Sequence, residues 1–214
     1  MAQIKNIMIF GDSYSTFRDY IPKGYAAYYS PDETDRTDVR KVEETWWHRL
    51  CSDMSLNLVL NNSWSGSTLC NTGYNGDCSK TSSFICRLNK LIGEGFFADN
   101  TIDTVLIFGC TNDSWANSPL GELKFSDFDD TELFSVLPAI GYFAAKLKAT
   151  LPAANIIFIV NTDLKPEISE AMAKTAEHFG IGCIKLENVD KRNGHPTIKG
   201  MGDIKEQVEA YLTK

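Results

Sequence analysis

Short apolar runs alternate along the chain with longer segments in which apolar residues recur at helical spacing. The run from Ile7 to Phe10 is unbroken, which is typical of a strand buried on both faces of a parallel sheet. We therefore expect this strand to be central. Further strands are predicted over residues 56–60, 102–108, 155–160 and 182–186.

Apolar residues three and four positions apart predict amphipathic helices between these strands. The helices are expected over residues 43–55, from Ser82 or Ser83 to Gly93 or Gly95, over 130–150 and 166–179, and from Pro196 onward with the proline in the first helical position. Strands and helices that alternate in this way indicate a parallel sheet with helices on both faces.

The segment 17–43 has no clear periodicity and contains four tyrosines, at positions 20, 25, 28 and 29. It is longer than an ordinary connection between a strand and a helix, and loops of this length commonly line a functional site. We predict that it borders the site.

Length and charge limit the classes of function. The 214 residues predict one domain, 1–214, and the formal net charge of -7 argues against a nucleic-acid partner, which needs a basic face. No apolar stretch has membrane-spanning length, so no membrane partner is expected. The residues before the first strand lack the features of a secretory leader, which predicts a cytoplasmic protein and leaves an exported mature form open. Nothing in the sequence predicts the oligomeric state.

Six cysteines are present, without a C-x-x-C pair or a zinc-type spacing with histidine, so free thiols and no metal site are expected. Cys70 and Cys78 flank a loop rich in glycine and asparagine. They are the pair that a local disulfide would join if the protein were exported.

The first strand leads directly into Gly11, Asp12 and Ser13. Glycine and aspartate favour a sharp turn, which would place the Ser13 hydroxyl at the carboxyl edge of the sheet. A neutral serine hydroxyl needs a neighbouring base to become a nucleophile, and histidine titrates nearest neutral pH. His48 and His178 lie on predicted helices and are interpreted as packing or surface residues. His195 follows the last strand, at the same edge as Ser13.

Three later segments add to this pair: Ser63-Trp64-Ser65-Gly66, Gly109-Cys110-Thr111-Asn112-Asp113 and Gly194-His195-Pro196-Thr197. With Gly11-Asp12-Ser13, their order and spacing resemble the four blocks of the SGNH (GDSL-type) hydrolase family along nearly the whole chain. The resemblance implies a three-layer α/β/α, flavodoxin-like fold with about five parallel strands. It also implies a serine esterase that needs neither a metal nor an organic cofactor.

The resemblance further implies a role for each block. Ser13 would attack an acyl carbonyl while His195 takes its proton. The backbone N–H groups of Ser13 and Gly66 and the side chain of Asn112 would form the oxyanion hole. Asp12 and Asp113, by contrast, are interpreted as structural carboxylates that hold loops through backbone N–H groups.

The last block departs from the family pattern. The family commonly has an aspartate three residues before the histidine, whereas this chain has Arg192, which cannot accept a hydrogen bond from the imidazole. Asp190 is the nearest carboxylate and is our predicted third catalytic residue. Glu187 and a backbone carbonyl remain alternatives, and the carbonyl would give a Ser-His dyad.

Aromatic residues adjoin three of the blocks. Tyr14 follows the predicted nucleophile, and Trp64 and Trp115 lie beside the glycine and asparagine blocks, so all three are candidate substrate contacts. Polar loops around them favour a small-molecule or saccharide ester, with a short acyl group such as acetyl as the leading expectation. An acyltransferase on the same scaffold and a non-catalytic carbohydrate-binding protein are the alternative functions.

Overall fold

The computed structural model describes residues 4–33 and 35–214. Its strands are β1 (Asn6–Gly11), β2 (Asn57–Ser63), β3 (Thr72–Gly73), β4 (Gly76–Asp77), β5 (Thr104–Phe108), β6 (Asn155–Val160), β7 (Gly182–Lys185), β8 (Lys191–Arg192) and β9 (His195–Pro196). Its α-helices are α1 (Trp46–Met54), α2 (Phe84–Gly93), α3 (Phe96–Asp99), α4 (Thr111–Trp115), α5 (Val136–Thr150), α6 (Pro166–Phe179) and α7 (Ile198–Leu212). Short 3-10 turns cover Ser13–Ser15, Val42–Glu44 and Glu132–Phe134.

The five longer strands form one parallel sheet in the order β2-β1-β5-β6-β7. The chain thus winds outward in both directions from β1, which is the flavodoxin-like arrangement. Two separate hairpins, β3 with β4 and β8 with β9, are antiparallel. The predicted three-layer α/β/α fold is confirmed.

Burial of β1 on both faces explains its unbroken apolar run. Ile7 and Ile9 pack into one core, which α1 and α7 cover. Met8 and Phe10 pack into the other core, where α2, α5 and α6 contribute most of the helical side chains. All four side chains are fully buried, and Phe10 lies edge-on to Phe143 at a centroid distance of 5.2 Å.

Some predicted element boundaries are wrong. β2 extends to Ser63, three residues beyond the predicted strand, and so delivers its loop closer to the site. Pro196 belongs to strand β9, and α7 begins two residues later, where the Thr197 side chain accepts a hydrogen bond from the Gly200 N–H. Helix α4, over Thr111–Trp115, is an additional element that the apolar pattern does not predict.

The cysteines at positions 51, 70, 78, 86, 110 and 183 are free thiols. Cys70 donates to the Thr72 carbonyl, while Cys78 lies 3.3 Å from the Thr68 hydroxyl. Among the helices in the described ranges, none has the length and apolar character needed to cross a bilayer.

Candidate active site

The turn after β1 presents Ser13 at the carboxyl edge of the sheet. Asp12 begins it: one carboxylate oxygen accepts the Tyr14 N–H at 3.0 Å and starts the 3-10 turn Ser13–Ser15. Gly11 is required because a Cβ there would lie 2.7 Å from the Ser15 Cβ and closer still to the Ser63 hydroxyl. Burial raises the Asp12 pKa to about 7.

The β8–β9 hairpin carries His195 to this serine. Its two-residue turn, Asn193-Gly194, has positive φ at both positions (52° and 76°), as a type I′ hairpin turn requires. The register pairs Arg192 with His195. The His195 Nε2 lies 2.9 Å from the Ser13 Oγ, so the imidazole is within proton-transfer reach of the hydroxyl.

The other imidazole nitrogen meets a backbone carbonyl. His195 Nδ1 lies 3.2 Å from the Asn193 carbonyl oxygen. The prediction for Asp190 is therefore corrected: its carboxylate accepts a hydrogen bond from the Thr197 hydroxyl, at the start of α7. Glu187 is exposed, and its backbone bonds to the Gln207 side chain. Of the three alternatives left by the sequence, the geometry matches the backbone carbonyl.

Burial is the main influence on the His195 imidazole, and it lowers the pKa below the ordinary value of 6.5. The Asn193 carbonyl opposes this shift, and the positive charges of Arg36 and Lys191 add to it. The imidazole is therefore predominantly neutral at pH 7, which is the form that can accept a proton.

Tyr14 holds the β8–β9 hairpin through a hydrogen bond. Its side chain is fully buried, and its hydroxyl donates to the Gly194 carbonyl. The interpretation of Tyr14 as a substrate contact is corrected, because a buried ring with an occupied hydroxyl has no face open to a ligand.

Two further loops bring hydrogen-bond donors to the same edge. Gly66 is exposed and has a φ of 81°, a conformation that favours glycine. Asn112 lies in the first turn of α4 and is buried. Within the described part of the chain, no residue accepts a hydrogen bond from the N–H of Ser13 or Gly66.

The Asn112 amide has a defined orientation. Its Nδ2 donates to the Ser67 carbonyl at 3.0 Å, and its Oδ1 accepts from the Tyr74 hydroxyl at 3.1 Å. Because an amide nitrogen carries two hydrogens, one N–H is left for a ligand. Ser13, Gly66 and Asn112 thus supply the donor types that an oxyanion hole needs.

Buried charges tie these loops together. The Asp113 carboxylate accepts the N–H groups of Leu69 and Cys70 at 2.8 and 3.0 Å, which joins α4 to the loop after β2. Asp113 therefore holds a loop through backbone N–H groups, as Asp12 does in the first turn. Burial raises the Asp113 pKa despite these hydrogen bonds.

Arg87 on α2 links the ends of the two strands that lead into the site. Its guanidinium donates to the Gly11 carbonyl at 3.2 Å, to the Ser67 hydroxyl at 3.1 Å and to the Asn62 side-chain oxygen at 2.6 Å. The side chain is 1% exposed, and burial lowers its pKa to about 10, so it stays charged at neutral pH.

Comparison with known proteins assigns the family. The model of the GDSL-like lipase/acylhydrolase family matches residues 5–212. The chain belongs to this family. It is therefore an ester hydrolase of the SGNH type, as the four blocks predict. No curated protein sequence matches the chain.

Solved structures agree with this family. A GDSL-like lipase structure from Bacteroides ovatus is 40% identical, with a TM-score of 0.90 and 98% of each chain covered. Another from Bacteroides uniformis is 41% identical, with a TM-score of 0.90 and coverage of 98% of this chain and 96% of that one. A family two carbohydrate esterase from Clostridium thermocellum, in complex with cellohexaose, shares the fold at 13% identity and a TM-score of 0.65, covering 98% of this chain and 63% of that one.

Aromatic side chains border the catalytic edge of this SGNH hydrolase. Trp115 is 40% exposed and lies 5.6 Å from the His195 ring, between centroids. Tyr74 is 53% exposed, on the tip of the β3–β4 hairpin. Trp64 is instead half-buried and packs against Tyr25 with a centroid distance of 4.1 Å, so of the predicted aromatic contacts Trp115 is the most open.

A cleft of about 180 Å³ lies between Gly66 and the β3–β4 hairpin. Gly66 and Tyr74 lie at its wall, together with the hydroxyl-bearing residues Thr68, Thr81 and Ser82. In the described ranges, no three histidine, cysteine, aspartate or glutamate side chains are grouped so as to hold a metal ion.

Three contributors to the site were not predicted: Asn193, Tyr74 and Arg87. Asn193 had a local signal, since Asn-Gly is the strongest short hairpin motif. Tyr74 and Arg87 had none, because their partners Asn112 and Gly11 are 38 and 76 positions away in the chain.

Proposed function

We propose that this esterase removes short acyl groups, such as acetyl, from a carbohydrate through a Ser-His dyad. Ser13 Oγ attacks the acyl carbon while His195 Nε2 takes its proton, and the same nitrogen then protonates the leaving alcohol. Water releases the acyl group from Ser13 in a second step. The 2.9 Å separation of Nε2 and Oγ is the observation that carries this proposal.

The Asn193 carbonyl would take the place of the usual third residue. By accepting a hydrogen bond from the Nδ1–H, it favours the tautomer in which Nε2 has a free lone pair facing Ser13. A neutral carbonyl stabilises the developing imidazolium less than a carboxylate does. The oxyanion donors, Ser13, Gly66 and Asn112, would therefore supply a larger share of the rate enhancement.

The substrate class rests on the surroundings of the pair. Exposed aromatic faces lie beside His195 (Trp115) and beside Asn112 (Tyr74), and such faces can stack on a sugar ring. The neighbouring cleft is lined by the hydroxyl-bearing residues Thr68, Thr81 and Ser82, which can hydrogen-bond a polar substrate. The fold is also that of the carbohydrate esterase bound to cellohexaose.

The test compares the wild type with Ser13→Ala on p-nitrophenyl acetate, p-nitrophenyl octanoate and an acetylated oligosaccharide. We expect acetate release from the saccharide, a preference for acetate over octanoate, and loss of all turnover in Ser13→Ala. Ser126→Ala is the control, since Ser126 is an exposed loop serine. Unchanged turnover in Ser13→Ala would remove this serine from the mechanism. Transfer to an added alcohol in preference to water would indicate an acyltransferase.

A further inference from the structure

The face of the His195 imidazole is covered by an aromatic ring. The Tyr28 ring is stacked on it at a centroid distance of 3.6 Å with an interplanar angle of 4°. Tyr28 lies in the long tyrosine-rich segment before α1, and the two residues are 167 positions apart in the chain. This near-parallel contact restricts how the imidazole can rotate out of its plane.

Backbone contacts hold Tyr28 against the nucleophile turn. Its N–H donates to the Thr16 hydroxyl at 2.9 Å, and that hydroxyl donates in turn to the Ser13 carbonyl at 3.0 Å. The ring on the base and the backbone of the nucleophile are therefore joined through a single intermediate residue.

The next residue, Tyr29, fixes the other side of the contact. It is fully buried, and its hydroxyl donates at 3.0 Å to the carbonyl of Pro196, the residue that follows His195. Its ring lies edge-on to Tyr28 at 4.9 Å. The Tyr28–Tyr29 pair thus contacts both the ring and the backbone of the hairpin that carries the base.

A further contact on His195 is needed because the hydrogen bond from its Nδ1 to the Asn193 carbonyl lies within a single hairpin. Asn193 is two residues from His195 in the same hairpin, so its carbonyl sets the tautomer without fixing the hairpin relative to Ser13. In a triad, a charged carboxylate supplies a stronger orienting hydrogen bond than a neutral carbonyl does. Here Arg192 pairs with His195 across the hairpin and cannot supply it.

We infer that Tyr28 is a positioning residue, whose ring holds the His195 imidazole in line with the Ser13 hydroxyl and so performs the orienting role of the absent carboxylate. The inference rests on the proposed role of His195 as the base. The aromatic face is the active feature, and the Tyr28 hydroxyl is not needed.

The kinetic test compares Tyr28→Leu with Tyr28→Phe. Leucine removes the ring and should lower kcat on the order of 10-fold to 100-fold with KM nearly unchanged, because the base is misplaced by a fraction of an ångström. Phenylalanine keeps the ring and should restore the wild-type kcat. Tyr20→Leu is the matched control, since Tyr20 is a half-exposed tyrosine of the same segment that contacts Phe17 and Trp47. Tyr28→Met replaces the leucine variant if the latter unfolds.

A spectroscopic test reads the contact without using activity. A ring stacked at this distance shifts the His195 ring protons upfield, and their NMR signals are assigned by their absence in His195→Gln. We expect the shift in the wild type and in Tyr28→Phe, and its loss in Tyr28→Leu.

Three results would overturn the inference: a wild-type kcat in Tyr28→Leu, a rise in KM alone, which would make Tyr28 a substrate contact, or equal losses in the leucine and phenylalanine variants. Wild-type turnover in His195→Gln would instead refute the proposed function. The NMR signals would still report whether the Tyr28 and His195 rings are stacked.

Discussion

Ser13, the proposed nucleophile, and Asn112 are buried, whereas His195, the proposed base, lies on a half-exposed hairpin outside the main sheet. The nucleophile side is fixed by strand ends and by the buried charges of Arg87 and Asp113. The base side is fixed by a carbonyl of its own turn and by aromatic rings. Ser13 and Asn112 are thus held by the core, whereas the position of His195 depends on its own hairpin and on aromatic side chains from distant parts of the chain.

The largest difference between the two sides should appear in stability. Replacing Arg87 by leucine leaves the buried side-chain oxygen of Asn62 without its donor and removes one donor each from the Gly11 carbonyl and the Ser67 hydroxyl. We expect the free energy of unfolding to fall by about 3–5 kcal/mol, as for other broken buried charge networks. Arg192→Leu, on the exposed base hairpin, should change it by less than about 0.5 kcal/mol. Urea denaturation of both variants measures these free energies. Equal losses would contradict the proposed difference between the two sides.

The role of Asn112 is tested by the effect of its substitution on kcat. Asn112→Ala removes one oxyanion donor and should lower kcat on the order of 100-fold to 1000-fold with little change in KM. Tyr74→Phe leaves the amide in place and removes only the hydrogen bond to its oxygen, so the expected loss is about fivefold, corresponding to about 1 kcal/mol. Steady-state kinetics on p-nitrophenyl acetate decide the order. A larger loss in Tyr74→Phe than in Asn112→Ala would contradict the assignment of the donor.

The sequence predicted the nucleophile side better than the base side, for a physical reason. Ser13 and Asn112 each follow a buried strand of a parallel sheet, so the apolar pattern alone places them at one edge. His195 is placed by the β8–β9 hairpin, for which the Asn193-Gly194 turn is the one local signal. Asp190 is the carboxylate nearest to His195 along the chain, but this nearness does not bring it to the imidazole in space. The hairpin turns the imidazole toward Asn193 and leaves Asp190 bonded to Thr197.

Long-range aromatic contacts are the part that no local pattern could predict. The segment 17–43 was expected to border the site, but nothing in it distinguishes Tyr28 from Tyr20 or Tyr25. Only the fold brings one of these rings onto His195. The contacts of Arg87 are equally unpredictable from local sequence, because an arginine within an amphipathic helix is ordinarily exposed to solvent.

The pH dependence tests the base side with a smaller effect. Burial lowers the His195 pKa, and the imidazole must be neutral to accept a proton, so the acid limb of kcat/KM should have its midpoint below 6.5. Arg36→Gln removes a positive charge that lowers this pKa, and the midpoint should move upward slightly. Lys23→Gln, on the same segment, is the control.

Asp12 needs a separate check, because its pKa of about 7 lies near the same range. Asp12→Asn removes that titration, and the acid limb should persist if His195 causes it. A midpoint above 6.5 in the wild type would contradict the described environment of the imidazole.

The rate at which a fluorophosphonate probe labels Ser13 tests the dyad most directly, with the labelled peptide identified by mass spectrometry. Asp190→Ala should label within about twofold of the wild type, because this carboxylate contacts Thr197 rather than the imidazole. His195→Ala should label on the order of 1000-fold more slowly, because the serine then lacks its base. Labelling of Asp190→Ala as slow as that of His195→Ala, or labelling at a residue other than Ser13, would contradict the account.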